Sequence, residues 1–307
     1  MLAATSARLR ATRAPLGAPR RVALRPATLV DAARFARYRA GLAAAARGRE
    51  APPFGLSVCF LPRRPAAFYF APSVLSALRA RIVTDASRAD VVWAFEDQTL
   101  SDVPAPTNRP VVNGRCRDVR KSTVAAAFAA VGGARILVDP TRADGLIVEK
   151  SEENGTHDGR IVEAPCRRRE GRCYQRLIDN RVPGGLVEDL RTVVVGGVPT
   201  LVFRKRRREG RRFANENAEV AVCDPGDVLS LTERRLLSDL CARIGLDCGG
   251  LDVLRCAETG EIAVVDANKT DMGPPLALPL RQQIDATYRL AAATAAYLKT
   301  LAEGEAA

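Results

Sequence analysis

Two apolar segments near the carboxyl-terminal end of the chain, separated by a short turn, constrain the fold more than any other feature. Residues 249–255 read Gly-Gly-Leu-Asp-Val-Leu-Arg, and residues 262–268 read Ile-Ala-Val-Val-Asp-Ala-Asn, with a turn at 257–260 between them. Short segments of this composition, joined by a turn that contains glycine, are typical of an antiparallel hairpin. The sequence therefore predicts two paired strands whose side chains alternate between two faces.

Three oxygen-bearing side chains of this hairpin are expected to share one face. Asp266 and Asn268 are two residues apart, so both point to the same side, and Asp252 lies on the partner strand. Such oxygens suit a hard cation such as Mg²⁺, which takes one or two carboxylates and leaves its other positions to water and phosphate oxygens. This interpretation indicates nucleotide chemistry. The alternative is that these polar residues only end the strands and start a loop.

The net charge of +12 is concentrated at the amino-terminal end of the chain. Residues 1–50 contain eleven arginines and two acidic residues, a net charge of +9, which leaves only +3 for the other 257 residues. A body this close to neutral lacks a basic surface interleaved with aromatic residues, so no specific nucleic-acid partner is expected. Because no run of 18 uncharged apolar residues occurs, we expect a soluble, cytoplasmic protein.

Cysteine and histidine usage argues against several classes of site. The eight cysteines include no Cys-x-x-Cys pair, and His157 is the single histidine. Zinc ribbons, histidine-based zinc hydrolases and most triads with a catalytic histidine are therefore disfavoured. Reduced thiols are the default for such a chain.

The basic amino-terminal segment contains one candidate helix. Phe35, Tyr38 and Leu42 recur at helical spacing within residues 31–47, with arginines beside them. Such a helix either packs on the body of the protein or rests on an anionic membrane surface. Its apolar stripe is narrow and rich in alanine, which favours packing.

From residue 52 onward the pattern changes to alternating strands and helices, and then to a series of strands. Strands are predicted at 55–61, 89–95, 110–112 and 135–138, and helices at 72–81 and 118–131. Further strands are predicted at 145–150, 160–163, 173–179, 187–195 and 199–205, the last two joined by the turn Gly196-Gly197. A helix at 232–244 with Thr232 as its N-cap, and a terminal helix at 280–301, complete the pattern. A small α/β unit followed by an antiparallel sheet is implied.

The order of polar residues in the second half of the chain resembles the ATP-grasp superfamily. Lys121 stands just ahead of a predicted helix, and Lys150 stands at a strand end before a polar loop at 151–159. The strand sequence Glu188-Asp189-Leu190-Arg191 and the closing Asp266-Ala267-Asn268 follow. The resemblance covers residues 110–275 and rests on scattered residues. Members of the superfamily include glutathione synthetase and ligases that join alanine or glutamate to a peptide chain.

The resemblance implies an α+β fold in which two α+β subdomains clasp ATP, preceded by a small α/β pre-ATP-grasp domain. The corresponding parts of this chain are a basic arm with its amphipathic helix at 1–50 and the pre-ATP-grasp domain at 51–115. Subdomain 1, with the lysines and the phosphate lid loop, corresponds to 116–182. Subdomain 2, with the metal-binding sheet and the C-terminal helix, corresponds to 183–307.

The resemblance also implies roles for individual residues. Lys121 and Lys150 correspond to the two phosphate-binding lysines. The other cofactor-binding candidates are Gln175, Leu177 and Asp179 near adenine and ribose, Lys205 near the reacting phosphate, and Asn215 or Asn217 near the metal. The candidate catalytic residues are Arg191 and Arg204, which would face the reacting phosphate or the substrate carboxylate. The candidate Mg²⁺ ligands are Asp252, Asp266 and Asn268.

These roles imply a ligase that uses Mg²⁺ and ATP to convert a carboxylate into an acyl phosphate, which an amine or thiol then captures. Its partners would be ATP and a carboxylate or amine substrate whose identity the sequence does not give. A kinase on the same scaffold, with a hydroxyl group as phosphate acceptor, is one alternative. A catalytically inactive ATP-binding module, joined to a membrane or an assembly by its basic arm, is another.

Overall fold

Three separate β-sheets with helices packed against them make up the protein. The computed structural model describes residues 26–48, 54–103, 108–156, 158–214 and 216–304. All eight cysteines are free thiols. None of the helices in the described ranges combines the length and the apolar composition that crossing a bilayer requires.

The first sheet is parallel and belongs to the amino-terminal part of the chain. Its strands are β1 (Ser57–Leu61), β2 (Arg81–Val83), β3 (Val91–Ala94) and β4 (Val111–Val112). Their order is β2-β1-β3-β4. Helix α2 (Phe70–Ala77) ends earlier than the predicted range of 72–81, because Arg79 adopts a positive φ of 51° and turns the chain into β2.

Helix α1 (Pro26–Arg47) packs on the terminal helix α6 (Leu280–Glu303). Tyr38 and Leu42 are buried, and the Tyr38 hydroxyl lies 2.7 Å from the Thr287 hydroxyl. Helix α6 also contacts α2 and two strands of the large sheet. The apolar stripe of α1 is therefore covered by protein, which is the arrangement that its narrow width favours.

A three-stranded antiparallel sheet forms the middle of the chain. It consists of β5 (Gly145–Ser151), β6 (Arg160–Ala164) and β7 (Arg172–Arg176), with β5 at the centre. Ile147, Ala164 and Tyr174 form a small core of their own. The segment predicted as a strand at 135–138 is not a strand. Its pairing with β7 is limited to an isolated bridge between Leu137 and Gln175.

The largest sheet has six antiparallel strands and supplies most of the candidate site. They are β8 (Arg181–Val182), β9 (Leu186–Val195), β10 (Val198–Arg208), β11 (Glu219–Cys223), β12 (Cys248–Arg255) and β13 (Ile262–Asn268). The order is β11-β10-β9-β12-β13, and β8 pairs with β9. Gly196 and Gly197 connect β9 to β10 with φ values of 62° and 72°, which a two-residue hairpin turn requires.

Three helices accompany this sheet: α3 (Lys121–Ala130), α4 (Pro225–Val228) and α5 (Leu231–Ile244). Val124 and Phe128 of α3 belong to the same buried cluster as Leu237 of α5 and Leu251 and Val264 of the sheet. Helix α3 thus shares a core with the large sheet, although the sequence grouped it with 116–182. The domain boundaries at 50, 115 and 182 stay predictions.

The amino-terminal cap of α5 differs from the prediction. Ser230, not Thr232, is the N-cap, and its hydroxyl accepts from the Glu233 backbone N–H while the Glu233 carboxylate accepts from the Ser230 N–H. This reciprocal pair satisfies two N–H groups that the first helical turn leaves without partners. The better cap therefore lies two residues earlier than the sequence interpretation placed it.

Candidate active site

The site is a cleft of about 1640 Å³ lined by strands of the three-stranded and six-stranded sheets and by loops of the part of the chain that carries the parallel sheet. Its walls come from the ends of β5 and β13, the cleft face of β9, β10 and β12, the loop at 151–156, and the segments at 97–100 and 268–277. Polar side chains from distant parts of the chain therefore face a common space.

A cross-strand row on the large sheet carries the central charges. Backbone pairing aligns Phe203 of β10 with Arg191 of β9, Arg191 with Asp252 of β12, and Asp252 with Asp266 of β13. Directly opposed residues of neighbouring strands hold their side chains close together on the same face. The register thus brings one guanidinium group and two carboxylates into a line across the sheet.

Arg191 is the most constrained member of this row. Its Nη1 lies 2.9 Å from Asp252 Oδ1, and its Nη2 donates to Asp271 Oδ1. Burial opposes its charge, but the two carboxylates outweigh burial and raise its pKa above the ordinary value. With the Asn268 amide oxygen turned towards it, the guanidinium also donates from both terminal nitrogens at 3.0 Å. Arg191 therefore stays ionised and fixed in orientation.

Lys121 lies at the first position of α3 and reaches into the cleft. Its Nζ donates to the Glu153 carbonyl oxygen at 3.1 Å and to Asn154 Oδ1 at 2.9 Å, and it lies 3.7 Å from Asp266 Oδ2. Two of these three partners belong to the loop at 151–156. The loop thus rests directly on the lysine.

Lys150 approaches the same carboxylate from the three-stranded sheet. It stands near the end of β5 and donates from Nζ to the Val265 carbonyl oxygen at 3.2 Å. Burial lowers its pKa from the ordinary value, although the charge of Asp266 opposes that shift. The structure brings both Lys121 and Lys150 to the end of β13, and two ammonium groups so placed could neutralise the charge of a polyphosphate.

Asp252, Asp266 and Asn268 form a donor set that suits Mg²⁺. The two carboxylate side chains keep 32% and 17% of their surface exposed, so both reach the cleft. Burial and the negative charge of Asp252 raise the pKa of Asp266, whereas Arg191 and Lys205 hold the pKa of Asp252 below its ordinary value against the effect of burial.

The cation would bind between two mutually repelling carboxylates. Within the described ranges no group of three His, Cys, Asp or Glu side chains is placed to hold a metal ion. The third protein donor would therefore be the Asn268 amide, and Mg²⁺ commonly completes its shell with water and phosphate oxygens. The residues present fit this cation.

Two neighbouring residues of β10, Arg204 and Lys205, point to opposite faces of the sheet. Lys205 lines the cleft, where burial, together with the charge of Arg191, lowers its pKa. Arg204 points to the other face and lies 3.8 Å from Glu188, because successive side chains of a strand alternate. The structure does not bring Arg204 to the cleft. Arg207, which the sequence interpretation passed over, lines the cleft and pairs with Asp189.

The candidates for the adenine and ribose contacts do not line the cleft. Gln175 is buried, and Asp179 forms an ion pair with Arg181. Leu177 is half-buried on the segment between β7 and β8. Their proposed contacts stay predictions, and Asn215 lies outside the described residues.

Besides Arg207, four contributors to the site were missed from the sequence. Asp271 binds Arg191, Gly250 leaves room for that pair, and Asn154 bridges Lys121 to the Ala267 carbonyl oxygen. Asn113 joins the end of β4 to the start of β12 and the end of β13. The tandem Gly249-Gly250 within a strand was a usable signal, since glycine inside a strand often marks a close approach. The other three have no sequence signature.

Comparisons with known proteins identify the fold. A scan against family models finds no match, and a search of curated proteins finds none either. Among solved structures, the ATP-grasp ligase PsnB with its minimal precursor gives a TM-score of 0.52 at 15% identity, covering 80% of this chain and 99% of that one. PsnB with the same precursor, Mg and ADP gives 0.50 at 14% identity, covering 80% and 100%. A RimK domain ATP-grasp protein from Sphaerobacter thermophilus gives 0.48 at 15% identity, covering 79% and 99%.

At this level of identity the likeness concerns the backbone. It extends over 80% of this chain and nearly the whole length of the PsnB chain. The α+β class and the two-subdomain architecture agree with the sequence interpretation. This chain has the ATP-grasp fold.

Proposed function

We propose that the protein is a ligase that uses Mg²⁺ and ATP to activate a carboxylate as an acyl phosphate, which an amine or thiol then captures. The observation that carries the proposal is the convergence of Lys121, Lys150 and Arg191 on the acidic pair Asp252 and Asp266 in one cleft. The fold that this chain shares with the ATP-grasp ligase PsnB supports the same chemistry.

In this proposal, Lys121 and Lys150 bind the phosphates of ATP. The hydrogen-bond acceptors of both ammonium groups are now neutral oxygens: the Glu153 carbonyl and the Asn154 amide for Lys121, and the Val265 carbonyl for Lys150. Phosphate oxygens carry more negative charge than these amide and carbonyl oxygens, so they are stronger partners for an ammonium group. ATP binding would therefore displace the loop at 151–156 from Lys121.

Asp252, Asp266 and Asn268 would hold Mg²⁺, whose contribution when bound is to neutralise phosphate oxygens that the lysines do not reach. Arg191 and Lys205 lie on the neighbouring strands and extend the positive surface towards the reacting group. Their role would be to orient the carboxylate and to stabilise the charge that develops as phosphate is transferred. Such catalysis works through positioning and needs no nucleophilic side chain.

The test is a trapping experiment with hydroxylamine. The purified protein is incubated with ATP, Mg²⁺ and pools of carboxylates; a carboxylate oxygen attacks the γ-phosphorus, and ADP leaves. Hydroxylamine then attacks the acyl carbon and releases phosphate, so a ligase produces a hydroxamate together with ADP and phosphate. Omission of Mg²⁺ and the Lys150→Met variant are the controls, and both should abolish the hydroxamate.

The same assay separates the alternatives. A stable phosphorylated product without hydroxamate would identify a kinase. Stabilisation of the protein by ATP and Mg²⁺ in a thermal-shift measurement, without any ADP formation, would identify an inactive binding module. Either result would overturn the ligase proposal.

A further inference from the structure

Arg191 is held on two sides by carboxylates of different character. Asp252, on its β12 side, keeps 32% of its side chain exposed to the cleft. Asp271, in the segment after β13, is 5% exposed. The first carboxylate is thus accessible to a ligand, whereas the second is committed to the arginine.

A bound cation would weaken the contact of Arg191 with Asp252 but not its contact with Asp271. Asp252 belongs to the donor set for Mg²⁺, and a carboxylate that binds a cation donates less of its charge to a neighbouring guanidinium group. The Mg²⁺ charge would also repel Arg191. An arginine with Asp252 as its single anchor would therefore loosen at the moment when the nucleotide is in place.

The position of Asp271 is fixed by the first domain, which is the part of the chain that carries the parallel sheet. Its backbone carbonyl accepts from the Phe70 N–H at the start of α2 at 2.8 Å, and its Oδ1 also accepts from the Met272 N–H at 2.8 Å. The preceding residue, Thr270, donates to Asp97 Oδ1 at 2.8 Å. Two links to the first domain therefore hold this segment against the large sheet.

Gly250 provides the space in which the pair forms. A Cβ at this position would lie 2.4 Å from Asp271 Oδ2 and 2.7 Å from Arg191 Nε. Such distances are too short for any side chain, so the glycine allows the carboxylate and the guanidinium group to meet above β12. The glycine in β12 thus leaves room for the ion pair of Arg191 and Asp271.

We propose that Asp271 is a positioning residue that keeps Arg191 aimed into the cleft when Asp252 turns to Mg²⁺. The inference rests on the proposed function, because Asp252 has a second partner only if a cation binds there. It assigns Asp271 no contact with the substrate. It also makes the parallel-sheet domain part of the machinery that orients the arginine.

The first experiment uses the protein without metal. Asp252→Asn removes the charge that Mg²⁺ would neutralise, and Asp271→Asn removes the second anchor. If either carboxylate can hold Arg191 when the other is removed, each single variant should lower the folding equilibrium constant only modestly. The double variant should then lose about tenfold more than the product of the single effects. Additive effects would overturn the proposal, whatever the outcome for nucleotide chemistry. Asp239→Asn, an exposed change on α5, is the control and should be neutral in every background.

The second experiment follows the Arg191 guanidinium by NMR in protein labelled with ¹⁵N-arginine, with and without Mg²⁺ and AMPPNP. In the wild type, its Nη–H groups, which bind the two carboxylates, should stay protected from hydrogen exchange in both states. In Asp271→Asn they should stay protected in the free protein, where Asp252 remains as the carboxylate partner, and lose roughly tenfold of their protection when Mg²⁺ and AMPPNP are added. Persistent protection in the loaded variant would overturn the inference. A wild type that fails to bind Mg²⁺ and AMPPNP would instead overturn the proposed function, while the metal-free cycle still tests Asp271.

Discussion

Replacement of Asn113 by alanine should destabilise the protein more than its single amide suggests. Asn113 is buried directly after β4, and its Oδ1 accepts from the backbone N–H groups of Asp247 and Cys248 at 2.8 Å each. Its Nδ2 donates to the carbonyl oxygens of Cys248 at 2.7 Å and Lys269 at 3.2 Å. One side chain thus connects the parallel sheet to both ends of the hairpin that carries Asp252 and Asp266.

The expected loss follows from these contacts. A buried hydrogen bond contributes about 1 kcal/mol, and backbone groups left unpaired in the interior cost more. Four such bonds predict a loss of roughly 4 kcal/mol in the free energy of unfolding. For a chain of this size that corresponds to a fall in Tm of about 10 °C. Because the hairpin loses an anchor at both ends, affinity for Mg²⁺ and ATP should fall with it.

Urea unfolding followed by circular dichroism measures this loss as a shift in midpoint at unchanged slope. Asn113 has a φ of 58°, a conformation that asparagine tolerates better than alanine, so part of the effect is conformational. Arg79→Ala is the matched control, because Arg79 is exposed and has a φ of 51° but makes no comparable buried bonds. A loss below about 1 kcal/mol, or one no larger than that of Arg79→Ala, would refute the reasoning.

Three further predictions concern single contacts. Lys121→Met should weaken ATP binding by roughly tenfold to a hundredfold, since charge-assisted bonds to phosphate contribute about 1.5–3 kcal/mol; calorimetry measures the affinity. Burial disfavours the ionised Asp158, but the Ser151 N–H and Arg172 outweigh it and lower its pKa from 3.8 to about 2. Because the folded-state pKa is depressed, its stabilisation is complete above about pH 4 and disappears as the pH falls towards 2; the stability difference between wild type and Asp158→Asn should vanish over that interval. Ser230→Ala should cost about 1 kcal/mol in urea unfolding, the usual contribution of an N-cap hydroxyl.

Each of the three has its own contradicting result. Lys299→Met changes an exposed lysine on α6 and should leave ATP affinity unchanged, so an equal loss in both variants would point to a general charge effect. A difference between wild type and Asp158→Asn that persists at pH 2 would show that the carboxylate charge is not responsible. Thr232→Ala should be near neutral, and a larger cost there than at Ser230 would contradict the observed cap.

Much of the site followed from the sequence because strand periodicity is a local property. The hairpin at 249–268 and the common face of Asp252 and Asp266 depend on strand positions that the residues themselves indicate, whereas the joint role of Lys121 and Lys150 was implied by the resemblance to the ATP-grasp superfamily. The sequence did not predict which basic side chains of β10 point into the cleft. The register of β10 shifts at a bulge between Pro199 and Leu201, so counting residues from the turn cannot decide whether Arg204 or Lys205 lines the cleft.

Asp271 and Asn113 could not have been found from the sequence for a different reason. Each acts through a contact with a residue at least 80 positions away, Asp271 with Arg191 and Asn113 with the start of β12. Such contacts depend on how loops lie across sheets, and loop sequences carry no periodicity that encodes it.

The separate core of the three-stranded sheet has a mechanical consequence. Ile147, Ala164 and Tyr174 pack among themselves, whereas the parallel and six-stranded sheets are tied together by α6. Across the cleft, the small sheet is fastened by polar links such as those of Lys121, Lys150 and Asn154. Outward movement of this sheet would break those polar links while leaving its own core intact.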